Sequence, residues 1–282
     1  DVADNYINTL NRAATVLEGK SKVYDMIIPT SMGITLPQSV RDTVKSSDQK
    51  SAIDYMYSKM IPAVSRVDCY GKLMSKRDEY IYFRTDHHWT HQGAYYAYVA
   101  LGKVAGFTPR QKSEFESGQW DNFVGSMYTY ISSYPQSSVL KNNPDTVYYW
   151  KPTADCTTYY YNDTNLRNGQ LMGTICKVSE SVDNKYLTFM GGDHPIAIVE
   201  TDTQGPTILV IKESYGNALI SWLTNHYSKI ILIDPRQYYS KNSDIDLAAF
   251  AQEQGVNQCL VVNYPMMLNS DGYTSLLERL IK

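Results

Sequence analysis

The sequence predicts an α/β fold on a mainly parallel central sheet, with a β-rich insertion. Residues 207–211, 229–233 and 258–262 are short, near-continuous apolar runs, which suit strands buried on both faces of a parallel sheet. Helical patterns at 215–225 and 244–254 separate them, the second stopped by Gly255. Alternating strand and helix implies right-handed crossovers within one sheet.

The earlier elements follow in order. Residues 23–28 read as a strand ended by Pro29, with a loop through Ser31, Gly33 and Pro37. Residues 48–62 read as a helix, apolar at Ile53, Met56, Met60 and Ile61. Residues 64–69 and 80–84 read as strands, the second leading into Asp86. After Thr90 the pattern turns helical, with Ala94, Ala97, Tyr98 and Leu101 on one face and Gly102 or Gly106 as the stop. From about 111 to 190 the helical period fades, and strand-like runs appear at 145–150 and 157–161. A last helix covers about 272–281. The chain therefore divides into one discontinuous α/β domain, residues 1–110 and 191–282, interrupted by an insertion at 111–190.

Composition narrows the function. A chain of 282 residues, 43% hydrophobic, can form one large domain with a proper core. A formal charge of −3 and the lack of a Lys/Arg cluster argue against nucleic acid and against an anionic membrane surface. No apolar run is long enough to span a bilayer. The chain starts at Asp1 without an initiator Met, as a processed or truncated chain would. Its 25 Tyr against 6 Phe suit either aromatic sugar-binding surfaces or half-buried strands. The four cysteines form no CxxC pair, so a zinc ribbon is out. Cys69 and Cys259 read as buried thiols in strand-like runs. A Cys156–Cys176 disulfide is expected of an exported protein.

Two segments carry chemistry. Asp86-His87-His88-Trp89 packs an acid, two imidazoles and an indole at a strand-to-helix junction. Residues two apart in extended chain face the same side, so Asp86 can orient His88 as the acid of a triad does. The same residues also read as a capped helix start with exposed histidines. A third reading joins Asp86 with His87 and His91, four apart on a helix, as metal ligands; the Glu of an HExxH motif is missing. The second segment, Lys212-Glu213-Ser214-Tyr215-Gly216-Asn217, follows a buried strand and opens a helix. Sites in open α/β sheets lie beyond the carboxyl ends of strands, where a serine is exposed. A serine helix cap is the plainer reading.

Tyr82-x-x-Thr85-Asp86-His87-His88-Trp89-Thr90 with Gly93-Ala94 resembles the signature of the bacterial DHHW family. That family is similar to the periplasmic alginate O-acetyltransferases, so the resemblance implies an SGNH-hydrolase-like three-layer sandwich. It implies a triad in which Ser214 is the nucleophile, His88 the base and Asp86 its orienting acid, with His87 at a variable position. Leu209–Tyr215 fits the nucleophile segment, and Ile233-Asp234-Pro235-Arg236 resembles a strand-end Asp-x-Arg stretch whose Arg lines the site. The resemblance covers roughly 65–105 and 190–240. Lys-Glu-Ser replaces the usual Gly-Asp-Ser. Arg236, Tyr215, Gly192 and Trp89 are the expected oxyanion or substrate contacts.

The implied activity is acyl transfer outside the cytoplasm: an O-acetyltransferase or acetylesterase acting on a cell-surface or exported polysaccharide. It needs no diffusible cofactor and no metal. Its partners would be a glycan and a membrane acyl-transfer protein that delivers the acetyl group, with no nucleic acid. The alternative is a non-catalytic cell-envelope carbohydrate-binding protein on a hydrolase-like scaffold.

Overall fold

The computed structural model describes residues 2–282. Ten strands form among them: β1 (Lys22–Ile27), β2 (Val64–Arg66), β3 (Ser117–Phe123), β4 (Asp145–Trp150), β5 (Cys156–Tyr161), β6 (Gln170–Met172), β7 (Ile196–Thr201), β8 (Thr207–Lys212), β9 (Lys229–Ile233) and β10 (Gln258–Asn263). Eight make one sheet in the order β2-β1-β10-β8-β9-β7-β5-β6, and β3 pairs with β4 in a separate hairpin. The five strands from β2 to β9 run parallel. The remaining three continue the sheet in antiparallel fashion. The predicted apolar runs are the central strands, and Ile208 to Ile211 are fully buried.

The longer helices are α1 (Val2–Val16), α2 (Gln49–Lys59), α3 (His91–Ala105), α4 (Leu247–Glu253) and α5 (Asp271–Leu280). One layer groups α1, α2 and α5; the other groups Cys69–Met74, α3 and the Ser214–Leu223 segment. The result is the α/β three-layer, SGNH-like arrangement with a mainly parallel sheet. Helix α1 buries Tyr6, Leu10 and Ala13, one turn apart, on the sheet. Helix α3 starts where Thr90 Oγ1 accepts the Gly93 N–H, and stops at Gly106, which adopts φ +83. Gly102 stays inside the helix.

Several local expectations change. Residues 80–84 form only the isolated bridge Tyr82↔Trp89. The Phe83 N–H donates to His88 O and the Thr90 N–H to Ile81 O, which folds 83–88 into a tight loop. Strand β2 ends early because Asp68 caps the helix that contains Cys69. Residues 215–225 begin as a 3-10 turn, Ser214–Leu219, before a short helix.

The Cys156–Cys176 bridge does not form; all four cysteines are free. The β5–β6 pairing ends at Thr158↔Met172, after which the chain leaves the sheet and Ile175 bridges to Phe189. The Cys156 thiol donates to Ala154 O and the Cys176 thiol to Gly173 O. No helix among the described residues is long and apolar enough to cross a membrane.

Candidate active site

Strand β8 delivers Ser214 to the carboxyl edge of the sheet. Glu213 is still extended, and its side chain accepts the Tyr215 N–H, so the chain turns at Ser214. The loop 83–88 faces it from a different part of the chain. Asp145, at the start of β4, pins that loop by accepting from the Arg84 N–H, the Thr85 N–H and the Thr85 hydroxyl, at 3.0, 2.7 and 2.6 Å.

These two segments bring Asp86, His88 and Ser214 together. His88 Nε2 lies 2.8 Å from Ser214 Oγ, and Nδ1 lies 2.6 Å from Asp86 Oδ1. The Asp86 carboxylate also accepts the His88 N–H at 2.9 Å and the Ser126 N–H at 2.9 Å. Burial pushes the Asp86 carboxyl up, but the His88 ring and the two backbone donors outweigh it and hold it well below the usual range. Ionised Asp86 therefore keeps the proton on Nδ1 and leaves Nε2 to accept from Ser214. A Cβ at Gly125 would collide with Asp86, so glycine permits this approach. Tyr186 stacks on the His88 ring at 3.9 Å and donates to Ser214 O at 3.0 Å.

The expected oxyanion and substrate contacts have other work. Tyr215 is fully buried, its N–H is bound by Glu213 and its hydroxyl donates to His87 O. Trp89 is fully buried and donates from Nε1 to Tyr215 O at 3.0 Å, which braces the turn at Ser214. The Gly192 N–H donates to Phe189 O at 3.2 Å. Arg236 is bound to Asp234 and Asp193 in an ion network that includes buried Lys212. The Tyr215 and Gly192 N–H groups and the Trp89 indole are occupied because a site at a sheet edge must satisfy its own buried polar atoms first, whereas Arg236 Nη1 has no partner among the described residues.

The metal set of Asp86, His87 and His91 does not assemble. His91 is buried in the core, with Nε2 on Ser221 Oγ at 2.8 Å and Nδ1 accepting the Trp150 N–H at 3.1 Å. Asp86, His87 and His88 do offer ligand atoms within 4.8 Å of one another. Two of those three residues are already joined to each other as described.

Comparison with known proteins places this geometry. The family described as DHHW protein matches residues 1–233. The chain belongs to the DHHW family. A DHHW family protein from Eubacterium siraeum is similar over 100% of this chain and 90% of its own, at 28% identity and TM-score 0.86. Bacillus cereus PatB1, solved with a sulfonyl adduct, is 17% identical at TM-score 0.74, covering 99% of this chain and 91% of its own. The O-acetyltransferase domain of Pseudomonas putida AlgJ is 15% identical at TM-score 0.52, covering 98% and 90%. Comparison with curated proteins finds no match.

This DHHW protein carries one further unusual group beside Ser214. Glu213 is fully buried; Oε2 lies 3.4 Å from Ser214 Oγ, and Oε1 has no partner among the described residues. Burial raises its carboxyl from the ordinary 4.5 to about 8. The folded state thus binds this proton more tightly than the unfolded chain. Its contribution to stability is complete below pH 4.5 and is lost as pH rises through about 8. Glu213→Gln mimics the neutral acid and is expected to remove that share of the decline. Denaturant unfolding of both proteins across this range checks it; parallel pH profiles would refute it.

Proposed function

We propose that this DHHW protein is a Ser-His-Asp acyl-transfer enzyme that moves an acetyl group from an ester donor to a glycan hydroxyl. The observation that carries this reading is the 2.8 Å contact between His88 Nε2 and Ser214 Oγ, with Asp86 on the opposite ring nitrogen. His88 takes the hydroxyl proton as Ser214 Oγ attacks the acyl carbon. Asp86 stabilises the imidazolium that forms. The Ser214 N–H, at the start of its turn, is the first donor for the oxyanion. The donor alcohol leaves with the proton from His88, and acetyl-Ser214 remains. His88 then deprotonates the acceptor hydroxyl, which attacks the acetyl carbon and releases Ser214. With water as acceptor the same cycle is ester hydrolysis.

Two similarities support this. AlgJ is described as an O-acetyltransferase domain, and PatB1 holds a sulfonyl adduct. The family's likeness to periplasmic acetyltransferases supports an extracytoplasmic setting, with the acetyl group delivered by a membrane acyl-transfer protein.

Sulfonyl-fluoride labelling tests the proposal. Wild type is expected to gain one covalent adduct by intact mass, and Ser214→Ala none. A wild type that stays unlabelled and forms no acetyl-enzyme, yet binds glycan, would leave a carbohydrate-binding protein instead.

A further inference from the structure

The remaining imidazole of the motif lies outside the triad but on the wall of the cleft beside it. A cleft of about 260 Å³ opens next to Asp86 and His88, and His87, Thr129, Tyr130 and Asn184 are among the residues that line it. The His87 ring lies 3.8 Å from the His88 ring, centroid to centroid. Ser126 holds the ring in place. The His87 backbone N–H donates to Ser126 Oγ at 3.2 Å, and His87 Nδ1 lies 2.5 Å from the same oxygen. With the backbone donor on one lone pair, the hydroxyl can give its proton to a bare Nδ1. In that tautomer Nε2 carries the hydrogen. That Nε2–H has no hydrogen-bond partner among the described residues. Burial depresses the His87 imidazole to about 4, which keeps the ring neutral near pH 7.

The cleft also has a charge character. Asp86 and Asp183 line it, and no Lys or Arg does. Lys185, next in sequence to Asn184, is buried and donates to Ser179 O and Glu180 O. Tyr130 is 68% exposed, with its ring 6.4 Å from that of His87, and offers a flat face. Asn184 gives its side-chain oxygen to the Tyr186 N–H. Its amide hydrogens have no protein acceptor among the described residues.

We propose that this cleft is the acceptor subsite, that it takes an uncharged sugar in preference to a uronate, and that His87 Nε2–H binds a hydroxyl oxygen beside the one His88 deprotonates. The proposal rests on the acyl-transfer reading for its kinetics, though not for its binding or its tautomer.

Three measurements on the full chain test it. In ¹⁵N-histidine NMR, His87 is expected to show an unprotonated Nδ1 and a protonated Nε2; the reverse tautomer overturns the assignment. His87→Ala is expected to raise KM for a neutral β-linked N-acetylglucosamine oligomer by roughly fivefold, the worth of one lost neutral donor. The loss in KM is expected to exceed any change in acetyl-enzyme formation from 4-nitrophenyl acetate, a step that uses no acceptor. His87→Gln, whose amide reaches the Nε2 position, should restore most of the affinity. An unchanged KM, or equal loss in both steps, overturns the subsite. Calorimetry with the neutral oligomer and with an oligouronate reads the preference directly. Equal or tighter uronate binding, or binding of neither, overturns it. Should wild type form no acetyl-enzyme, the function fails while tautomer and calorimetry still judge the subsite.

Discussion

Asp86→Asn is expected to lower kcat by about four orders of magnitude, equivalent to about 5.5 kcal/mol of transition-state stabilisation. An amide in place of the carboxylate presents an N–H to His88 Nδ1. The ring then accepts at Nδ1 and carries its proton on Nε2, which aims a donor at Ser214 Oγ and leaves no base. The substitution has a second cost. Asp86 uses one oxygen for the His88 N–H and the other for the Ser126 N–H. An amide has one oxygen, so one backbone donor loses its partner, at about 1–3 kcal/mol. Burst kinetics with an activated acetyl ester, alongside a thermal melt of the same sample, separate the two effects. A kcat within tenfold of wild type in a folded variant would remove Asp86 from the mechanism.

Lys212→Ala is expected to destabilise the fold by about 3–5 kcal/mol, the usual consequence of breaking a buried ion pair from one side. Lys212 Nζ lies 2.9 Å from Asp193 Oδ1 and 3.6 Å from Asp234 Oδ2 while its side chain is 2% exposed. Removing it leaves Arg236 as the cation shared by two carboxylates, with Asn217 Nδ2 still donating to Asp193 Oδ1 at 2.8 Å. Burial pushes the Asp193 carboxyl up, but Lys212 and Arg236 overcome it and hold the group well below its usual range. This stability is therefore present above the ordinary carboxylate pKa and lost as pH falls through the lowered one. Denaturant unfolding at pH 7 measures the loss. A change under about 1 kcal/mol would show that the network contributes little to folding. Lys212 also ends β8, so its loss is felt two residues before Ser214.

The central strands were legible because burial on both faces demands unbroken apolar runs, and Leu209-Val210-Ile211 has one. Strand β7 was not, since Ile196–Val199 follows a Gly-Gly-Asp-His-Pro loop and its antiparallel pairing leaves no helical partner to flag it. Helix α1 carries its stripe on sparse Tyr, Leu and Ala positions, a weak signal at a chain start. In the site, Asp86 and His88 were legible from a spacing of two. Their supports were not. Ser126 and Asp145 reach the motif across 40 and 60 residues, and no local pattern announces such a contact. The oxyanion and substrate contacts were less legible for a related reason: sequence names a donor but not what already occupies it. Tyr215 and Gly192 have N–H groups in the right neighbourhood, both spoken for by Glu213 and Phe189.

The Asp145 clamp has a consequence for how this protein comes to life. Its carboxylate reaches back 60 residues to set the loop that holds Asp86 and His88, and Ser214 lies 126 residues beyond His88. Such distant pairings close late, after the loops between them have lost their freedom. The parallel sheet closes over a longer span still, since Lys22 pairs with Gln258, so sheet and site are both late to complete. Under the proposed chemistry Ser214 meets its base only in a chain that has also docked the β3–β4 hairpin, so acyl transfer would report on a fully assembled fold.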